Sequence, residues 1–251
     1  NFLDLGIAAD RVTALFAVER AETTTPGLAQ LRRRFPAVDI QVFTDERSAR
    51  GRSYEPSIQP HLIERWLRTC PEAIEEPVFF HDSDVALRWL PDFDALQRDH
   101  PGACLLSDSD RYIGYGYLHE VCEKIRAERP ELAENDLLDR MCAVVGIDRH
   151  HVVQCARDHR ATVRRHQGAS GGAQYLLCGL GPDHWAKVYA DSLALRELFD
   201  TYVDEYRLAH EAGHYLQVWT AGMWAYLWNL WAAGRKTVVH PDLDFLFGVE
   251  D

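Results

Sequence analysis

The sequence predicts an α/β fold: a mixed sheet flanked by helices, followed by a largely helical C-terminal part. Three observations carry this. Short apolar runs alternate with amphipathic stretches over residues 11–107, the order that builds parallel or mixed sheets. Those runs are apolar on successive residues, as strands covered on both faces are. After residue 182 the pattern turns helical almost throughout.

Taken in order, Arg11 to Val18 reads as a buried first strand, and Gly27 to Phe35 as a helix. Asp39 to Thr44 is a second strand closed by Asp45, and 46–58 a charged loop. Pro60 to Thr69 is a helix with proline in its first turn. Pro77-Val-Phe-Phe-His81 is a third strand, Asp92 to Arg98 a short helix, and Gly102 to Ser107 a fourth strand. Helices follow over 118–129 and 132–145. Gly168 to Gln174 reads as a glycine-rich loop leading into a strand at Tyr175 to Cys178. Two long helices span 183–208 and 215–233, and Lys236 to His240 is a last strand. With no linker or repeat, 1–251 reads as one domain. Residues 1–115 form one half and 116–251 the other, the C-terminal helices being an appendage to the sheet.

The 251 residues are 47% hydrophobic and 26% charged, an ordinary globular composition. A net charge of −12 argues against a general nucleic-acid coat. The six cysteines are scattered without a Cys-x-x-Cys pair, which predicts reduced, mostly buried thiols and a cytoplasmic protein. No apolar run is long enough to span a membrane, so no membrane partner is expected.

Asp82 and Asp84 carry the chemistry. Residues i and i+2 of an extended segment point to one side, so two carboxylates emerge together from the end of the third strand. Hard divalent cations take such oxygens, and Mg²⁺ or Mn²⁺ shares them with phosphates. A similar Asp108/Asp110 pair shows that the motif alone is weak. Its surroundings add to it: His81-Asp-Ser-Asp-Val-Ala-Leu-Arg-Trp-Leu-Pro91 resembles the Asp-x-Asp segment of GT-A glycosyltransferases.

That resemblance is specific around residues 78–93 and covers the N-terminal half in pattern. It implies a GT-A-like, Rossmann-type sheet and a hexosyltransferase using a nucleotide-sugar, a UDP-sugar being the first choice of donor. Asp84 would bind the metal, and Asp82 the metal or the ribose. Ala17, Glu19 and Asp45 at the first two strand ends would face base and ribose. Gly171, Gly172 and Gln174 resemble the loop beside donor and acceptor, and Arg165 would meet the donor diphosphate. His240 would be a further metal ligand, against the plainer reading of a histidine in a turn before Pro241. For the acceptor base, Asp204, Glu205 and Glu211 stand by location, with Glu211 favoured.

Other readings compete. His210-Glu211-Ala-Gly-His214 is a complete His-Glu-x-x-His, the zinc metallopeptidase pattern. It lacks a third ligand: the only later glutamate is Glu250, and no glycine and histidine follow closely. A catalytically silent nucleotide-sugar-binding module is a further alternative. Residues 149–167 hold five arginines and four histidines against one acid, either a solvated segment or a site for an anion such as DNA. Trp224, Trp228 and Trp231 share one helical face and read as core, with a sugar- or base-stacking role as the alternative.

Overall fold

The computed structural model describes residues 2–20, 25–81, 85–128, 130–132, 136–158, 170–206 and 216–244, and it is mixed α/β with two sheets. Six strands lie among these residues: β1 (Thr13–Val18), β2 (Asp39–Thr44), β3 (Val78–His81), β4 (Cys104–Asp108), β5 (Gly171–Leu177) and β6 (Thr237–Val239). The helices are α1 (Pro26–Arg34), α2 (Ala49–Ser53), α3 (Ile58–Thr69), α4 (Phe93–Asp99), α5 (Asp110–Ile113), α6 (Tyr115–Glu128), α7 (Leu137–Val145), α8 (Arg149–Asp158), α9 (Pro182–Tyr206) and α10 (Ala221–Ala232). Among the described residues, no helix is long and apolar enough to cross a membrane.

β1 and β2 pair in parallel, Thr13 opposite Asp39 and Val18 opposite Thr44, as a two-stranded sheet. Its strands are half-buried rather than buried, because a two-stranded ribbon covers little of itself. The other sheet has the order β3-β5-β4-β6. β5 runs antiparallel to both neighbours, and β4 runs parallel to β6. The C-terminal ends of β3, β4 and β6 therefore share one edge with the start of β5.

The glycine stretch corrects the sequence reading. Gly171 to Gln174 belong to β5 and are not a loop. Pairing of Gly171 and Gly172 with Asp108 and Ser107 of β4 overrides the low strand preference of glycine. Leu106 pairs with Tyr175 but Ser107 with Gly172, so Ala173 and Gln174 bulge, and Ala173 takes φ +64°. Ser107 Oγ fills the bulge: it donates to Gly172 O and accepts from Gln174 N at 3.2 Å. A Cβ at Gly171 would collide with Ser107 O and Leu106 Cβ, so this glycine admits the neighbouring strand.

Alternation sends β-strand side chains to two faces. Phe79, Leu105, Leu176 and Val238 meet Phe93 and Leu96 of α4 on one face. Phe80, Leu106, Tyr175, Leu177 and Val239 join the main core on the other. That core is built around α10, which is apolar on all sides, as a fully buried helix is. Trp224, Trp228 and Trp231 are each at most 2% exposed. The C-terminal helices are thus the centre of the core and not an appendage. Asn229 alone breaks the apolar pattern of α10's second half, and its Nδ2 donates to Asp191 Oδ2 at 2.8 Å. Lys187 Nζ donates to the same oxygen at 2.5 Å, so the polar group is paired rather than orphaned.

The segment 46–58 is also not a loop. Ser48 Oγ accepts from Gly51 N at 3.0 Å, capping α2. The cysteines are free, but only Cys104, Cys122 and Cys142 are buried, and Cys178 is exposed. Burial pushes each of the three buried thiols up to about 11.

His184 in α9 sets a pH dependence. Burial, then the positive charges of Arg235 and Lys187, lower its pKa to about 4, and its Nε2 is buried without a partner. A histidine held neutral in the fold takes up its proton first in the unfolded chain. Its contribution is therefore complete above about pH 6.5 and is lost as pH falls toward 4, about 3 kcal/mol in all. Urea unfolding at pH 7 and pH 4 should show this loss, and His184→Gln should lose about that much less over the same interval. An equal acid loss in both proteins would exclude His184 as the cause.

Candidate functional site

The site is assembled where strands end. Val18 and Thr44 finish β1 and β2 side by side, and Asp45 N donates to Val18 O at 2.7 Å. This places Ala17, Glu19 and Asp45 on one edge, Glu19 exposed and Ala17 half-buried. Asp45 does not stand open there. Arg47 Nε donates to Asp45 Oδ1 and Nη2 to Oδ2, both at 2.9 Å, the two-pronged geometry that suits guanidinium and carboxylate. Arg47 Nη1 donates to Gly51 O at 3.0 Å and to Ser57 Oγ at 3.2 Å, tying α2 to the exit of β2.

Arg47 is 7% and the Asp45 side chain 15% exposed. The hydrogen bonds from Arg47 hold the Asp45 carboxyl below its ordinary value, against the opposing effect of burial. His61 of α3 is buried beside them and hydrogen-bonded to the Thr44 backbone. Burial lowers its pKa, Asp45 opposes this, and its Nε2 has no partner.

The exit of β2 is joined to the exit of β4 through one tyrosine. Tyr54 is buried, and its hydroxyl donates to Trp219 O at 2.9 Å and accepts from Gly222 N at 2.7 Å. Burial pushes that hydroxyl up to about 12. Arg196 of α9 lies over the Tyr54 ring at 5.2 Å. Trp219 in turn lies against Tyr112 of α5, ring centres 5.6 Å apart.

On the four-stranded sheet, His81 ends β3 opposite Gln174, and Asp108 ends β4 opposite Gly171. Asp82, Ser83 and Asp84, which follow His81, lie outside the described residues. Gln174 is buried between β3 and β4. Asp108 stands two strand spacings from β3, about 10 Å, on the same edge. The sequence showed its Asp-x-Asp but gave no reason to bring it to the edge where His81 ends; the sheet order does.

His240 follows β6, three spacings from β3, or about 14 Å. Its Nδ1 accepts from Asp242 N at 3.2 Å, capping the turn Pro241–Leu243, and its ring meets His100 at 5.4 Å. Burial lowers its pKa, and the Asp242 carboxylate opposes this. The structure thus places it in the turn before Pro241 and does not bring it beside His81. Asp204 is exposed near the end of α9, one turn beyond the Arg196–Asp200 pair. Glu211, His210, His214 and Arg165 lie outside the described residues.

Part of the basic run is helix α8. Arg149 is spent on Asp136 and Asp139, at 2.9 and 2.8 Å, and His151 Nε2 contacts Trp231 O at 3.1 Å. Among the described residues, no group of three or more His, Cys, Asp or Glu is placed to hold a metal, and Asp82 and Asp84 are not among those residues.

The three tryptophans on one face of α10 are core. Trp219, just before that helix, is the exposed one, at 52%. Sequence reasoning missed it; the available signal was that Trp219 falls outside the Trp224-Trp228-Trp231 face. No protein-family model, curated protein or solved structure matches the chain.

Proposed function

We propose that the chain is a metal-dependent glycosyltransferase that moves a sugar from a UDP-sugar to an acceptor hydroxyl. The reading is carried by one observation: His81, immediately before Asp82-Ser83-Asp84, ends on the edge shared by Asp108 and the start of β5. In an open α/β sheet, ligands favour the crevice at the carboxyl ends of the strands. Two carboxylates one residue apart, directly after such a strand, suit Mn²⁺ or Mg²⁺.

In this reading Asp82 and Asp84 hold the ion, which supplies positive charge against the leaving diphosphate. Ala17, Glu19 and the Asp45–Arg47 pair shape the base and ribose end. Arg47 takes the role of fixing Asp45, because both carboxylate oxygens are engaged by it. Gly171, Gly172 and Gln174 line the sheet edge beside the sugar, and His240 stands further along it. Glu211, or Asp204 at the end of α9, takes the acceptor proton. Arg165 meets the diphosphate, and the DNA reading of 149–167 falls to the residues beyond Arg149.

The test is release of UDP from a panel of UDP-sugars with Mn²⁺, with Mg²⁺ and with EDTA. Release that needs the metal is expected. Donor binding without any turnover would favour a silent binding module. Zinc in the purified protein, lost on His210→Ala, would replace this reading with the peptidase.

A further inference from the structure

We propose that Trp219 and Tyr112 form the platform on which a neutral pyranose of the acceptor lies. This rests on the glycosyltransferase reading and names the acceptor class. Trp219 is one of two large apolar side chains that stand open among the described residues, the other being Trp89. Isolated exposed apolar residues are common. What sets Trp219 apart is how its backbone is fastened.

Four hydrogen bonds hold the short turn that carries it. Gln217 N donates to Tyr117 Oη at 2.9 Å, and Thr220 Oγ1 donates to Gln217 O at 2.7 Å. Tyr54 Oη donates to Trp219 O and accepts from Gly222 N. Tyr54 comes from a segment 165 residues away in sequence. Behind the turn stands α10, the most enclosed helix of the core. A side chain with nothing to pack against needs no such anchorage. A ring that must meet a ligand gains from it, because the ordering cost is already met before binding.

The geometry also indicates the ligand. Indole and phenol planes meet at 57°, an open corner and not a closed stack. One broad apolar face with a second ring at its side suits the C–H face of a pyranose, whose hydroxyls then stay in water. The corner follows the end of β4, whose last residue, Asp108, pairs with Gly171 at the edge assigned to the transferred sugar, and the acceptor must come to that sugar. The platform therefore belongs to the acceptor side.

The test uses the full chain with Mn²⁺ and two probes. UDP binding is followed by calorimetry. Tryptophan fluorescence is titrated with methyl β-glucoside, methyl β-galactoside, N-acetylglucosamine, maltose and lactose. At least one saccharide should shift the emission of the wild-type protein. Trp219→Ala should weaken its binding at least about tenfold, and Trp219→Phe should restore part of it, since stacking tolerates a smaller ring. UDP affinity should stay within about twofold in both variants, as expected for a ring outside the donor site. Three results would overturn the proposal: no saccharide bound by a wild type that binds UDP, unchanged saccharide binding in Trp219→Ala, or loss of UDP binding in that variant. A wild type that binds no UDP with Mn²⁺ rejects the glycosyltransferase reading itself.

Discussion

Asp84→Asn should abolish Mn²⁺-dependent binding of a UDP-sugar and lower transfer on the order of 10²–10³-fold, the cost of removing one electrostatic stabiliser of a transition state. The substitution keeps the size and hydrogen-bonding shape of the side chain and removes its charge. The cation would be held jointly by the two carboxylates and the diphosphate, so losing one anionic ligand weakens the whole assembly. An unchanged urea midpoint beside the lost binding separates loss of the ion from loss of the fold. Calorimetry with UDP and Mn²⁺, beside a UDP-release assay, reads both effects. Full retention of metal-dependent binding would show that the cation is held elsewhere, and Asp108 on the same edge would be the next residue to replace.

Arg47→Met should cost about 3–5 kcal/mol of stability, the range for removing one partner of a buried ion pair. Methionine keeps the apolar stem of the side chain and removes the guanidinium with its hydrogen bonds. Asp45 would keep its burial and lose its charge partner, and Gly51 O and Ser57 Oγ would lose a donor. The sign of the pH effect follows. In the wild type the Asp45 pKa is lowered, so its stabilisation is complete above the ordinary value of 3.8 and is lost as pH falls through the lowered one. Without Arg47, burial dominates and the carboxyl is raised instead. Its ionisation then opposes folding at pH 7, and protonation relieves the variant on acidification. The stability gap between wild type and variant should therefore narrow from pH 7 toward pH 4. Adding Asp45→Asn to Arg47→Met should recover part of the loss. A penalty under about 1 kcal/mol with no pH dependence would mean the pair behaves as a surface ion pair.

How far the sequence could be read depends on the distance over which each feature is decided. β2 falls at Asp39–Thr44 as expected, because an apolar run bounded by Asp39 and Asp45 needs no outside help. α9 and the tryptophan face of α10 were legible for the same reason: their periodicity is local. α2 was not, since Ala-Arg-Gly-Arg-Ser has little helix preference of its own. It is held by the Ser48 cap and by Arg47 reaching to Gly51 O and Ser57 Oγ, side-chain bonds that helix preference does not register. The start of β5 was hidden by its glycines, of which Gly171 lets β4 come close and Gly172 makes room for Met223. At the site, the Asp82–Asp84 motif and the strand ends could be seen in the sequence. The engagement of Asp45 by Arg47, and the path from Tyr54 through Trp219 to Tyr112, could not. Asp45 and Arg47 are two residues apart, but their enclosure by Ser57 and His61, like the Tyr54 path, depends on contacts that no local pattern encodes.

The position of β5 has a consequence for how the chain comes to life. Its two partners, β3 and β4, are synthesised well before it, and neither can pair with the other while the gap between them is empty. A growing chain that has released α6 and α7 still carries two unsatisfied strand edges, the kind that invites association with other chains. The nascent protein must wait for Gly171–Leu177 before the edge bearing the aspartates can close. A polypeptide cut after residue 115 would contain every element of the first half and still be unable to complete its sheet.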